Sequence, residues 1–110
     1  MLIFGGGPGG IALGARLKHL GVPGLIIGKN SRVGHSWRNR YRSLVLHDPV
    51  WCDHLLYIPF PAHWPVFTPK DKMGDWFEAY VTLMELNYWT SAEVITARFE
   101  EASQECTVEV

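Results

Sequence analysis

The strongest constraint on this chain is a run near its start, Gly5-Gly6-Gly7-Pro8-Gly9-Gly10. Leu2-Ile3-Phe4 precedes it, and Ile11-Ala12-Leu13-Gly14-Ala15-Arg16-Leu17 follows. Gly5, Gly7 and Gly10 match a Gly-x-Gly-x-x-Gly spacing, and Gly9 adds another bare position. A main chain without Cβ atoms turns sharply and lets a diphosphate come close. The N–H groups and positive dipole end of a following helix then stabilise the negative charge. Pro8 has no N–H to donate and fits the loop or first helical turn, where that loss costs little.

The flanking residues predict a strand–turn–helix–strand unit. A helix is expected over residues 10–20, with Ala12, Leu13, Leu17 and Leu20 near one face. Gly14 would let that helix lie close to a sheet. Gly21 is a C-terminal stop, with Pro23-Gly24 turning behind it. Leu25-Ile26-Ile27 reads as a second buried strand. The unit has the size of a dinucleotide-binding βαβ element. The end of the second strand departs from that pattern. An acidic residue is expected there to bind a ribose hydroxyl, but Gly28 occupies the position, followed by Lys29-Asn30. In one reading Lys29 or Arg32 meets a 2′-phosphate, which would favour NADP. In the other the adenosine pocket is weakened and both are solvated loop charges. Asn30 or Ser31 could accept the ribose bond if the loop bends inward. Gly28→Glu is expected to tighten adenosine binding.

Residues 31–69 do not read as regular structure. Prolines at 49, 59, 61, 65 and 69 exclude long helices. The interleaved aromatics make the segment unlike a solvated linker. It is expected to pack over a flat partner, a cofactor ring or a neighbouring sheet. The alternative is an irregular segment that fills its own core. A helix follows, with Thr68 as cap, Pro69 at the first position and Asp71 complementing the dipole. Met73, Trp76, Phe77, Tyr80, Leu83 and Met84 would form its core face, with an end near Leu86-Asn87. Gly74 would mark close packing. Residues 94–99 and 106–110 are expected to pair as an antiparallel hairpin. The chain stops at that second strand, which leaves strand edges without neighbours and suggests a fragment.

The 110 residues, 47% hydrophobic and 19% charged, suit one modest packed domain. A formal net charge of -1 gives no electrostatic footprint for nucleic acid or an anionic membrane. No secretory leader and no membrane-length apolar stretch are expected. Two distant cysteines, Cys52 and Cys106, imply no disulfide framework and point to a reducing, cytoplasmic setting. Cys52 is expected to be a packed thiol. His47, Asp48, Cys52, Asp53 and His54 are metal-ligand types, but Pro49 interrupts them and no short paired spacing is present, so no metal is expected. His47 would hydrogen-bond backbone within the loop, His63 would pack there, and His19 would lie exposed near a helix end.

An ordered series of motifs extends beyond the glycines. It comprises Val33-Gly34-His35-Ser36-Trp37 with Arg38-Asn39-Arg40-Tyr41, then Leu44-Val45-Leu46-His47-Asp48-Pro49, Pro59-Phe60-Pro61 and Trp64-Pro65-Val66-Phe67-Thr68-Pro69-Lys70. With these the chain resembles the N-terminal part of the flavin-containing monooxygenase superfamily, especially its YUCCA-like and fungal branches. The resemblance implies an α/β fold over residues 1–110. This would be an incomplete Rossmann-like FAD/NAD(P)-binding domain made of a βαβ unit, a long Pro/aromatic loop, a helix and an antiparallel β-hairpin. It implies that Gly5, Gly7, Pro8, Gly9 and Gly10 serve FAD, with Gly28, Lys29 and Arg32 at the adenosine end. Gly34 and Trp37 would lie beside the flavin, and His47 would continue that wall.

In the family NADPH reduces the flavin, and oxygen then forms a C4a-hydroperoxide that oxygenates a small organic substrate. The second glycine motif for NADPH, the Phe-x-Gly-x-x-x-His signature and the Ala-Thr-Gly strand are missing. The NADPH-binding domain is therefore expected to be absent, NADPH to need a downstream part, and the chain alone to be inactive. No catalytic residue is assigned. The alternative is a catalytically incompetent nucleotide-binding or interaction fragment.

Overall fold

Short apolar strands on either side of the glycine turn start the fold. In a computed structural model that describes residues 1–110, β1 (Leu2–Phe4) and β2 (Leu25–Ile27) run parallel. Ile3 faces Ile26, and Phe4 faces Ile27. A parallel pair needs a crossover, which α1 (Pro8–His19) supplies, with Gly7 as N-cap and Pro8 in its first turn. The helix ends as expected at Gly21. Gly21 N–H donates to Lys18 C=O at 3.0 Å and Val22 N–H to Leu17 C=O at 2.9 Å, the paired bonds of a Schellman cap.

The face of α1 differs from the expected one. Ile11, Gly14, Ala15 and Leu17 are buried, whereas Leu13 and Leu20 are exposed. The small residues decide this, because they let the helix axis approach the sheet. A Cβ on Gly14 would stand 2.7 Å from Ile26 Cδ1. Leu17 joins Ile3 and Ile26 in a small core cluster. Ile11 and Ala15 reach a larger cluster built on the second long helix.

That helix, α3, spans Lys70–Leu83. Met73, Gly74, Trp76, Phe77, Tyr80 and Val81 are buried, while Leu83 is exposed. It ends about one turn earlier than expected because the chain must turn back to form β3 (Tyr88–Trp89). This short strand lies parallel to β2 and completes a three-stranded sheet in the order β1-β2-β3. A strand of two residues leaves no readable periodicity, so the sequence did not announce it. Thr68 does not cap α3. Pro69 is the N-cap, and the buried Thr68 hydroxyl meets no partner.

Most of residues 31–69 is irregular, apart from one helical turn, α2 (His35–Arg38), and an isolated bridge between Val45 and Pro69. The segment packs on α3, where Phe60 stacks on Trp64 at 4.9 Å and meets Trp76 edge-on at 5.1 Å. α2 crosses α3 through two glycines. Gly34, at φ +77°, lies so close to Gly74 that a Cβ would stand 2.3 Å from the Gly74 carbonyl oxygen. Arg38 closes over this crossing, bonding Asp75 at 2.7 Å, Glu78 at 3.1 Å and the Val33 carbonyl. Lys70 is buried, but its ammonium donates to Arg38 C=O at 2.6 Å and to Asp71 at 2.7 Å.

β4 (Thr96–Glu100) and β5 (Glu105–Glu109) form the expected antiparallel pair, largely exposed on both faces. The architecture is therefore mixed α/β, with a parallel sheet and a separate small antiparallel pair. No helix is long and apolar enough to cross a membrane.

Candidate functional site

A cleft of about 280 Å³ opens at the carboxyl ends of β1 and β2. Parallel α/β sheets place ligands in such crevices. Phe4 and Ile27 end the two strands, and Gly5, Gly6 and Gly7 form the rim beside them. The glycines have separate reasons. Gly5 has φ +107°, a conformation open to residues without a Cβ, and its N–H donates to Ile27 C=O at 3.0 Å. Gly10 is forced by packing, since a Cβ would lie 2.1 Å from the Gly5 carbonyl oxygen. Gly7 is constrained by neither. Its φ is −83°, and a Cβ there would meet nothing within 4 Å. The open space above Gly7 is therefore available to something other than this chain.

The donors beside it are free. Among the backbone bonds, Gly6, Gly7, Gly9 and Gly10 donate their N–H groups to no acceptor, and no side chain caps α1. No acidic residue lies in the first turn of that helix. Unpaired donors at the positive end of a twelve-residue helix suit an anion.

The far wall is built by Tyr88, on the strand the sequence did not reveal. Its hydroxyl donates to Gly6 C=O at 3.0 Å, and burial raises its pKa. The same hydroxyl would stand 2.5 Å from a Cβ on Gly28, with ring carbons at 2.9 and 3.0 Å. A glutamate at position 28 would therefore have to displace the Tyr88 phenol and break its bond to Gly6, a cost set against the expected tightening of adenosine binding.

The cationic side of the cleft follows the reading of solvated loop charges, with one addition. Lys29 lines it and is exposed. Arg32 lines it too and is exposed, as expected of a solvated loop charge, but it is not a free phosphate ligand. Its Nε and Nη2 form a fork on Glu78, at 2.9 Å to Oε1 and 2.7 Å to Oε2. That hydrogen bond, followed by the Arg32 charge, holds the Glu78 carboxyl below its ordinary range.

Of the sequence candidates, Gly5, Gly7, Gly28, Lys29 and Arg32 border the cleft, whereas Pro8, Gly9, Gly10, Gly34, Trp37 and His47 do not. Gly34 is buried at the α2–α3 crossing, and Trp37 is half-buried against Phe77, with ring centres 6.4 Å apart. His47 is 93% exposed and makes no backbone bond; Asp48 lies 3.7 Å from its Nε2. His63 and Cys52 are exposed rather than packed, because the loop turns them away from the Phe60–Trp64–Trp76 stack. His19 stacks on Tyr57 near the end of α1. His47, Asp48, Cys52, Asp53 and His54 do not converge as a metal-holding group. Burial, and after it the Asp48 charge, raise the pKa of Asp53. Tyr88, Glu93, His35 and Ser36 line the cleft without having been singled out. No local pattern in the sequence marks Tyr88 or Glu93; only the pairing of β3 with β2 brings them here.

No protein-family model matches the chain. An uncharacterized CzcO-like oxidoreductase of Geobacillus kaustophilus is 35% identical over 101 residues, 92% of this chain and 29% of that protein. The probable indole-3-pyruvate monooxygenase YUCCA8 of Arabidopsis thaliana is 35% identical over 103 residues, 93% of this chain and 24% of that protein. The chain thus spans about a quarter of the length of the curated relatives it matches. Among solved structures, a flavin-containing monooxygenase from Stenotrophomonas maltophilia superposes with TM-score 0.85 at 19% identity, covering 97% of this chain and 34% of that one. The OTEMO complex with FAD and NADP superposes with TM-score 0.79 at 21% identity, covering 98% and 22%. At these identities the structural likeness shows a shared fold.

Proposed function

We propose that this chain, a homologue of a quarter-length stretch of flavin-dependent monooxygenases, is the FAD-binding N-terminal portion of an NADPH-dependent enzyme that oxygenates small organic substrates. One observation carries the reading: four unpaired N–H groups, that of the bare Gly7 among them, gather at the mouth of α1. Residues 1–110 then form part of an FAD-binding domain, and NADPH is held by residues outside this chain.

Bound FAD would supply hydride acceptance and oxygen activation. The chain's own residues bind and orient. The Gly6 and Gly7 N–H groups, which border the cleft, donate to the diphosphate, with the α1 dipole and the unpaired Gly9 and Gly10 N–H groups behind them. Gly7 lets it approach, and the Tyr88 hydroxyl holds the Gly6 carbonyl so that this oxygen does not compete for the donors. Gly34 and Trp37 are fixed by the α2–α3 crossing, which makes that wall rigid. His47 is assigned to the flavin wall by resemblance, and its exposed position gives it reach rather than rigidity. Two free, exposed thiols, Cys52 and Cys106, support a reducing, cytoplasmic location. Neither nucleic acid nor membrane is proposed as a partner, in keeping with a net charge of -1.

Titration of the chain with FAD, FMN and NADPH, followed by flavin fluorescence and calorimetry, tests this reading. FAD should bind, and FMN, which lacks the adenosine monophosphate part and so the diphosphate bridge, should bind much more weakly. Absence of FAD binding after reconstitution defeats the assignment. A second reading, a nucleotide-binding unit without turnover, is favoured by the missing acid at Gly28. Tight FAD binding with no reduction by NADPH in the longest natural form of the protein would select it.

A further inference from the structure

We propose that Glu93 is the ribose-binding carboxylate of this site, moved from the end of β2 to the segment after β3. The inference rests on the nucleotide reading above. Residue 28 has no room for an acid while the Tyr88 hydroxyl, anchored on Gly6, stands 2.5 Å from its Cβ position. Among the residues lining the cleft, Glu93 alone carries a carboxylate. It takes part in no hydrogen bond or ion pair, unlike Glu78, which is committed to Arg32 and Arg38.

The backbone brings Glu93 to the place the missing acid would serve. Ala92 N–H donates to Gly28 C=O at 3.1 Å, and Ser91 N–H donates to Asn30 C=O at 2.9 Å. These bonds splice the segment onto the end of β2. A residue distant in sequence is thus one position from a residue bonded directly to Gly28. A ribose presents two adjacent O–H donors, and a carboxylate presents two acceptor oxygens in matching geometry. Lys29, the other charged residue here without an ion-pair partner, has donors only and cannot play this part.

The placement also bears on hydroxyl or phosphate at the 2′ position. A carboxylate repels a 2′-phosphate, and the Arg32 guanidinium is already forked on Glu78, which leaves the unpaired Lys29 as the cation that would attract one. Glu93 therefore works toward nucleotides with a free ribose diol, such as ADP and FAD, and against 2′-phosphorylated ones.

The test is calorimetric titration of the full chain and its E93Q variant with ADP, 2′,3′-dideoxy-ADP and 2′-phospho-ADP. Glu93 is exposed and unpartnered, so E93Q should keep the unsubstituted thermal midpoint. E93Q should weaken ADP binding about tenfold to a hundredfold, the range for hydrogen bonds to a charged group. It should leave dideoxy-ADP within about twofold, since that ligand has no diol for the carboxylate to recognise. It should strengthen 2′-phospho-ADP binding by removing the repulsion. Unchanged ADP affinity, or equal losses for ADP and dideoxy-ADP, overturns the role of Glu93 and leaves the nucleotide reading standing. If the unsubstituted chain fails to bind ADP at all, both fall.

Discussion

The glycines of the opening loop can be separated by alanine substitution, because the structure gives each a different reason to be bare. Gly7→Ala places a methyl where nothing in the chain lies within 4 Å, at an ordinary φ of −83°. Two small effects on stability then oppose each other. Restricting the unfolded chain stabilises by about 0.4–1 kcal/mol. Alanine is a poorer N-cap than glycine by a similar amount, roughly 0.5–1 kcal/mol. The sum is near zero, so the folded chain should not notice the change.

Gly10→Ala is different. Its Cβ would lie 2.1 Å from the Gly5 carbonyl oxygen, a backbone atom that cannot rotate aside. The helix must move off the loop by more than an ångström. Overpacking costs about 1–3 kcal/mol or more, while the gain in helix propensity returns only about 1 kcal/mol. A net loss of about 1–2 kcal/mol corresponds to a fall in Tm of roughly 5–10 °C for a chain of this size. Thermal and urea denaturation read the stability, and FAD titration reads the site. Gly7→Ala should leave Tm within a few degrees of the parent yet weaken FAD at least tenfold, because its methyl stands where the diphosphate must sit. Gly10→Ala should lose both. If Gly7→Ala binds FAD as tightly as the parent, the diphosphate does not lie over this turn, and the account of the loop is wrong.

Gly34→Ala is expected to destabilise more than either. It combines a left-handed backbone, costing about 1–2 kcal/mol, with a clash 2.3 Å from the Gly74 carbonyl oxygen, costing about 1–3 kcal/mol. A change in urea midpoint below that of Gly10→Ala would contradict the tight α2–α3 crossing. The Arg32–Glu78 fork predicts a pH effect of defined sign. The folded pKa of Glu78 lies below its ordinary value of 4.5, so its stabilisation is complete above the unfolded carboxyl range and is lost as pH falls through the folded value. Between pH 7 and pH 3 the parent should lose stability more steeply than Glu78→Gln. Asp53, whose pKa is raised, works in the opposite direction in both proteins and cancels from the comparison. Identical pH slopes would show that the fork is not a source of stability.

Much of this protein was legible in the sequence because the informative patterns are local. The glycine turn, the two strands around it, the Gly21 stop, the buried face of α3 and the terminal hairpin each follow from a few adjacent residues. Their causes, backbone conformation and side-chain periodicity, act over short stretches of chain. The burial of α1 was misread because apolar residues mark a face only when the neighbour is far enough away to admit them. Gly14 and Ala15 bring the sheet too close for that, and the leucines turn outward.

The recognition chemistry of the cleft belongs to tertiary structure alone. Tyr88 follows a helix and sits on a strand of two residues, too short to show a period, yet its hydroxyl closes on both Gly6 and Gly28. Arg32 looks free in sequence and is spent on a glutamate 46 residues away. Glu93 joins the cleft because its neighbours Ser91 and Ala92 bond the chain at Asn30 and Gly28, which splices their segment onto the end of β2. A linear pattern shows that a glycine turn precedes a helix, because one short peptide forms it. Which groups line the rest of the cleft depends on how distant segments meet, and packing between those segments decides that.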